Sequence, residues 1–105
     1  MNHGLSEKTV EEIKGIFREH AEIDQAILYG SRAKGSYDAG SDIDIALVGN
    51  SLSLKDLLQI RIEIESLNLP YTVDLVLYHN IQSQDLIDHM NRVGRVIYDR
   101  DSRVK

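Results

Sequence analysis

The sequence has no cysteine, which excludes a disulfide framework, a zinc–thiolate site and a thiol nucleophile. No apolar run approaches the ~20 residues that span a bilayer. The opening MNHGLSEKTVEE lacks the apolar core of a signal peptide, so a cytoplasmic protein with no membrane partner is expected. Positive charge is in deficit: 12 Lys and Arg stand against 17 Asp and Glu, a formal net charge of -5. That balance argues against direct nucleic-acid binding, which relies on Lys and Arg neutralising many phosphates. It leaves room for a small anion held by a metal and a few local basic groups. Proline occurs once, at Pro70, and no repeat or low-complexity tract appears. At 105 residues, 42% apolar and 28% charged, the chain reads as one domain, residues 1–105, with enough length for one real core.

What is present alternates between strand and helix patterns. Ser6 fits a helix N-cap, with Leu5 and Val10 spaced as a hydrophobic staple. Val10, Ile13, Ile16 and Phe17 then keep a helical period to about His20, weakened but not broken by Gly15. Residues 1–4 are expected to fray. Ile23–Tyr29 reads as a strand and residues 31–36 as a short helix; residues 38–41 are turn material, and Asp42–Val48 is a second strand. Ser53 with Asp56 marks the start of a second long helix, Leu54 to about Leu67, whose apolar surface is wider than one stripe. Pro70 precedes a third strand, Tyr71–Tyr78. Ser83 caps a last helix with Leu86, Ile87, Met90 and Val93 inward and Gly94 as its stop. Arg95–Tyr98 is a short edge strand before a charged, loose tail. The expected fold class is α/β: a small mixed sheet in α-β-α-β-α-β-α-β order, with helices packed mainly on one face.

The chain is organised around LYGSRAKGSYDAGSDIDIAL, residues 28–47. In a strand successive side chains point to opposite faces, so Asp42 and Asp44 share one face about 7 Å apart while Ile43, Ile45 and Leu47 face a core. On the third strand Asp74 lies opposite in phase to Val73, Leu75 and Leu77. A lone Asp-x-Asp is more often an exposed strand pair than a metal site, and a lone Asp74 more often a solvated acid. If the second and third strands are neighbours with the same facing, the three acids converge. Two carboxylates about 5 Å apart repel by about 3 kcal/mol at an effective dielectric near 20, and a marginally stable domain rarely keeps three without a cation or a raised pKa. Oxygen-only ligands suit Mg²⁺ or Mn²⁺. An EF-hand is excluded, because Ala46 and Leu47 stand where an acid and a glycine are required.

Gly30 and Ser31 supply the other half. A glycine lets backbone approach a phosphate, and the N–H groups that follow favour an anion; alone, a Gly-Ser pair is an ordinary strand-to-helix turn. Gly30 and Gly35 have P-loop spacing, but Ser36 and Tyr37 occupy the places of the required Lys and Ser/Thr. Arg32 and Lys34 serve either to balance phosphate charge or as solvated loop charges. The histidines (His3, His20, His79 and His89) lack metal-ligand spacing and read as surface or capping residues. Tyr37, beside the acids, reads as a surface tyrosine or a ring that stacks on a base.

GSRAKGSYDAGSDIDI, read as Gly-Ser, ten residues and Asp-x-Asp, resembles the signature of the minimal nucleotidyltransferases (MNT) of the DNA polymerase β superfamily. Asp74 falls where that family places its third acid, and the resemblance covers nearly the whole chain. It implies that Asp42, Asp44 and Asp74 are catalytic and bind Mg²⁺, with two ions expected. It further implies that Gly30, Ser31, Arg32 and Ser41 bind the nucleotide, with ATP as donor of AMP. Compact relatives are often the antitoxin of a pair with a helical HEPN-domain toxin and transfer AMP to its tyrosine. Larger nucleotidyltransferases append a domain that grips the acceptor; no segment here plays that part, so a HEPN toxin or a second copy is the expected partner. The wide apolar surface of residues 54–67 is either a partner surface or a well-buried core helix. Two rival functions remain beside protein adenylylation: modification of a small molecule such as an antibiotic hydroxyl, and a binding module that neutralises a partner by occlusion.

Overall fold

A computed structural model describes residues 4–38 and 40–101. The expected fraying at residues 1–4, His3 and the charged tail lie largely outside these residues, as does Ala39 of the turn. Elements follow the order α1 (Glu7–Arg18), β1 (Gln25–Tyr29), α2 (Gly30–Lys34), β2 (Ile43–Val48), α3 (Leu54–Glu65), β3 (Val73–Leu77), a 3₁₀ turn at Tyr78–Asn80, α4 (Gln84–Val93) and β4 (Arg95–Asp99). The order is the expected one, with most ends trimmed by a few residues, the short helix starting one residue earlier at Gly30 and the last strand running one further to Asp99.

Local chemistry sets the helix starts. Ser6 accepts from the Thr9 N–H at 3.1 Å, and Ser83 from the Leu86 N–H at 3.2 Å. Ser53 and Asp56 form a reciprocal capping box, each side chain accepting from the other's backbone N–H. Among the described residues, no helix is long and apolar enough to cross a membrane.

The strands form one mixed sheet in the order β3-β2-β1-β4. β1 is antiparallel to β2 and to β4, while β2 and β3 are parallel, joined by α3 as the crossover that a parallel pair requires. Period-two alternation splits the side chains between the two faces. Ala26, Leu28, Ile43, Ile45, Leu47, Leu75 and Leu77 meet Ile13 and Phe17 of α1 and Leu57, Ile60 and Ile64 of α3 in the main core. The opposite face holds a smaller cluster of Tyr29, Ala46 and Met90, flanked by Ile27, Val76 and Leu86, where α4 rests.

The wide apolar surface of α3 proves to be two surfaces. Leu57, Ile60 and Ile64 are buried, whereas Leu54, Leu58 and Ile62, spaced i, i+4 and i+8, are 63%, 56% and 59% exposed. The helix is thus a core helix with an apolar stripe on its back, on the far side of the sheet from Asp44.

Candidate active site

β1 ends at Tyr29 and the chain turns at once into α2. Gly30 takes φ +76°, a left-handed conformation that costs an L-residue about 1–2 kcal/mol. A Cβ at this position would also collide with Asp44 Oδ2. The glycine of the Gly-Ser pair is therefore required by its own backbone and by the carboxylate beneath it. Gly35, at φ +86°, ends α2 as its left-handed cap, its N–H donating to the Ser31 carbonyl at 2.9 Å.

Asp44 stands opposite Tyr29 in the β1–β2 register and opposite Asp74 in the parallel β2–β3 register. Asp42, one residue before β2, has the same phase. Asp44 is half-buried; Asp42 and Asp74 are exposed. The three share a field: burial, then Asp74, then Asp42 raise the Asp44 carboxyl above its ordinary value. Burial, with Asp44 and Asp74 behind it, pushes the Tyr29 hydroxyl up to about 12. As they stand, no three His, Asp or Glu side chains among the described residues are gathered as a metal-ligand cluster. The donor chemistry still fits a hard divalent cation: the groups are carboxylates on one face, and Asp44 bears a charge its neighbours oppose.

Ser31 is half-buried beside Gly30. Arg32 has a different part from the one its charge suggested. It is 1% exposed, and its Nε and Nη2 donate to the Ser41 carbonyl at 3.2 and 2.9 Å. Its guanidinium lies 5.2 Å from the Tyr37 ring centroid and 4.8 Å from that of Tyr71. So placed, it clasps the loop that delivers Asp42. The same contact turns Tyr37 toward Arg32. The Ser41 hydroxyl accepts from the Asp38 N–H at 2.9 Å and donates to Asp38 Oδ1 at 3.3 Å, closing the turn before β2. Lys34 is exposed.

Two histidines are more than surface residues. His20 Nε2 meets Glu63 Oε1 at 2.8 Å, tying the end of α1 to α3. His89 of α4 accepts the Gly30 N–H on Nε2 at 3.1 Å and sets its ring edge-on to Tyr29. In the sequence His89 stands one residue before the inward Met90, beside the helix's apolar stripe, but its target lies 59 residues away. No local pattern carries that pairing.

A mixed four-stranded sheet with a Gly-Ser turn after one strand and aspartates on the two beyond it belongs to the nucleotidyltransferase fold. Residues 11–103 match the family model for polymerase beta nucleotidyltransferases, and the chain belongs to that family. Solved structures agree on the fold. A chain of a toxin–antitoxin crystal structure with AMP-PNP superposes with a TM-score of 0.71 at 23% identity, covering 90% of this chain and 76% of that one. A complex of a tri-AMPylated HEPN toxin with its MNT antitoxin from Shewanella oneidensis gives 0.69 at 20% identity, with coverage of 94% and 76%. The toxin–antitoxin complex MntA–HepT gives 0.67 at 20%, with coverage of 93% and 76%. Comparison with curated proteins gives no significant match.

Proposed function

We propose that this single domain is a Mg²⁺-dependent nucleotidyltransferase that moves AMP from ATP to a tyrosine hydroxyl of a HEPN-type toxin and so acts as its antitoxin. The observation that carries the reading is the direct pairing of Asp44 with Asp74 on a face that also lies under the Gly30 turn. Membership of the family and the AMPylated toxin in a structural neighbour support the choice of reaction and of partner.

In this reading Asp42, Asp44 and Asp74 hold the divalent metal, Ser31 holds the β- and γ-phosphates, and Gly30 shapes the turn that lets the chain approach them. A bound cation supplies charge neutralisation and Lewis acidity at the oxygens that change charge. The acceptor hydroxyl forms a bond to the α-phosphorus as the bond to pyrophosphate breaks, and the hydroxyl proton passes to Asp74, the more exposed partner of the pair. Asp44, destabilised as an anion by both neighbours, gains most from the cation. Arg32 fixes the carbonyl of Ser41 and with it the approach of Asp42. Positioning and charge neutralisation account for most of the catalysis, as in phosphoryl transfer generally.

The test is incubation of the purified protein with its cognate HEPN partner, labelled ATP and Mg²⁺. Label is expected on a partner tyrosine with the wild type and not with Asp44→Asn. Equal labelling by both removes the assignment. If Asp42→Asn with Asp44→Asn still suppresses the toxin, occlusion replaces chemistry as the mechanism.

A further inference from the structure

α4 carries none of the residues of the Gly-Ser and Asp-x-Asp pattern, yet it reaches the turn between them. His89 is half-buried, its Nε2 accepts the Gly30 N–H at 3.1 Å, and its ring stands edge-on to Tyr29 with centroids 6.5 Å apart at 82°. An accepting Nε2 carries no proton, so the imidazole is in its Nδ1–H form. The Gly30 peptide is then held from two sides. Asp44 lies where a side chain on Gly30 would project, and His89 takes its N–H from the α4 side. Met90, the buried residue of α4, anchors the helix in the cluster with Tyr29 and Ala46, so the imidazole is delivered from a packed element.

We propose that His89 is a positioning residue for the nucleotide: its Nε2 orients the Gly30 peptide so that Ser31 and the turn that follows meet the triphosphate. This rests on the reading that the Gly30–Ser31 turn holds the nucleotide, and it assigns to α4 a control over that turn. The Gly30 N–H is occupied within the chain, which makes the glycine a steric and conformational requirement at this site and leaves the hydrogen bonding of phosphate to the residues after it.

His89→Phe keeps an aromatic ring against Tyr29 and removes the acceptor, while His89→Gln places an amide oxygen close to the position of Nε2. Titration calorimetry with Mg²⁺-ATP should show affinity about tenfold weaker in His89→Phe, the scale of one lost positioning hydrogen bond, and restored to within about twofold in His89→Gln. Turnover at saturating nucleotide should change little, so the functional effect falls on binding, while the melting temperature should fall by several degrees in His89→Phe, whose Gly30 N–H loses its acceptor, and by less in His89→Gln. Wild-type affinity in His89→Phe, or an equal loss in both variants, overturns the proposal. A through-bond coupling between the Gly30 amide nitrogen and His89 Nε2, read by NMR on the nucleotide-free wild type, tests the contact without any variant; its absence also overturns it. A wild type that shows this coupling but does not bind Mg²⁺-ATP removes the nucleotidyltransferase reading itself, which a selective loss in His89→Phe cannot do.

Discussion

Asp44 and Asp74 are direct partners across the parallel β2–β3 ladder, so two carboxylates separated by thirty positions in the chain rise side by side from one face. Burial first, and then the charges of Asp74 and Asp42, hold the Asp44 carboxyl above its ordinary value of 3.8. A group raised in this way binds its proton more tightly in the folded chain. The stability it contributes is complete below the unfolded value and is lost as pH rises through the folded one. Asp44→Asn removes that loss. The metal-free variant should melt higher than the wild type near neutral pH, with the gap closing as pH falls below the carboxyl range. Thermal denaturation across that range in chelator checks it, and added Mg²⁺ should raise the wild type more than the variant.

Gly30→Ala should fail on two counts. It strains a left-handed position by about 1–2 kcal/mol, and its methyl displaces the Asp44 carboxylate. Nucleotidyl transfer should fall by about a hundredfold, the scale of a small displacement in a positioned site. Chemical denaturation and turnover, measured on the same preparation, report the two effects separately.

Arg32→Lys should destabilise the fold by about 2–3 kcal/mol, because an ammonium cannot reproduce the forked donation to the Ser41 carbonyl or the stacking on two tyrosine rings. Urea unfolding measures this. If Arg32 instead served a phosphate from solvent, the variant would keep its stability and lose only nucleotide affinity.

On α3, neighbouring residues should respond in opposite ways. Ile60→Ala empties a fully buried site and should cost about 2–5 kcal/mol. Leu58→Gln, two positions earlier on the exposed stripe, should stay within about 0.5 kcal/mol of the wild type in the isolated protein. Paired urea curves decide it.

Element order was legible because capping residues and hydrophobic period agree locally: Ser6, Ser53 and Ser83 each open a helix that the apolar spacing then continues. The shared phase of Asp42 and Asp44 follows from strand alternation alone. The pairing of Asp44 with Asp74 depends on β2 and β3 being neighbours, a fact of topology that strand alternation does not supply. Arg32 shows where residue type misleads. A basic residue beside a Gly-Ser turn suggests phosphate, but two tyrosines and a backbone carbonyl drawn from residues 37, 41 and 71 bury it. His89 reads from the sequence as a surface or capping residue; it does cap an N–H, that of Gly30 at the start of α2, but only the tertiary fold fixes which one. The α3 surface was half legible: a helix apolar over more than one stripe is either buried all round or exposes part of itself, and the sequence does not say which.

The crossover between β2 and β3 has a consequence for how this chain tolerates change in length. Residues gained or lost in the links around α3, away from buried Leu52 and from Tyr71 and Thr72, which stack on Arg32 and accept the Ile43 N–H, can be absorbed there, because the ladder is fixed at Ile43–Leu47 and Val73–Leu77. A single residue gained or lost inside Val73–Leu77 reverses its alternation, driving Asp74 toward α3 and lifting Leu75 into water. Deletions therefore separate into those the molecule survives and those that dismantle the acid pair, with the boundary at Tyr71, just before the strand.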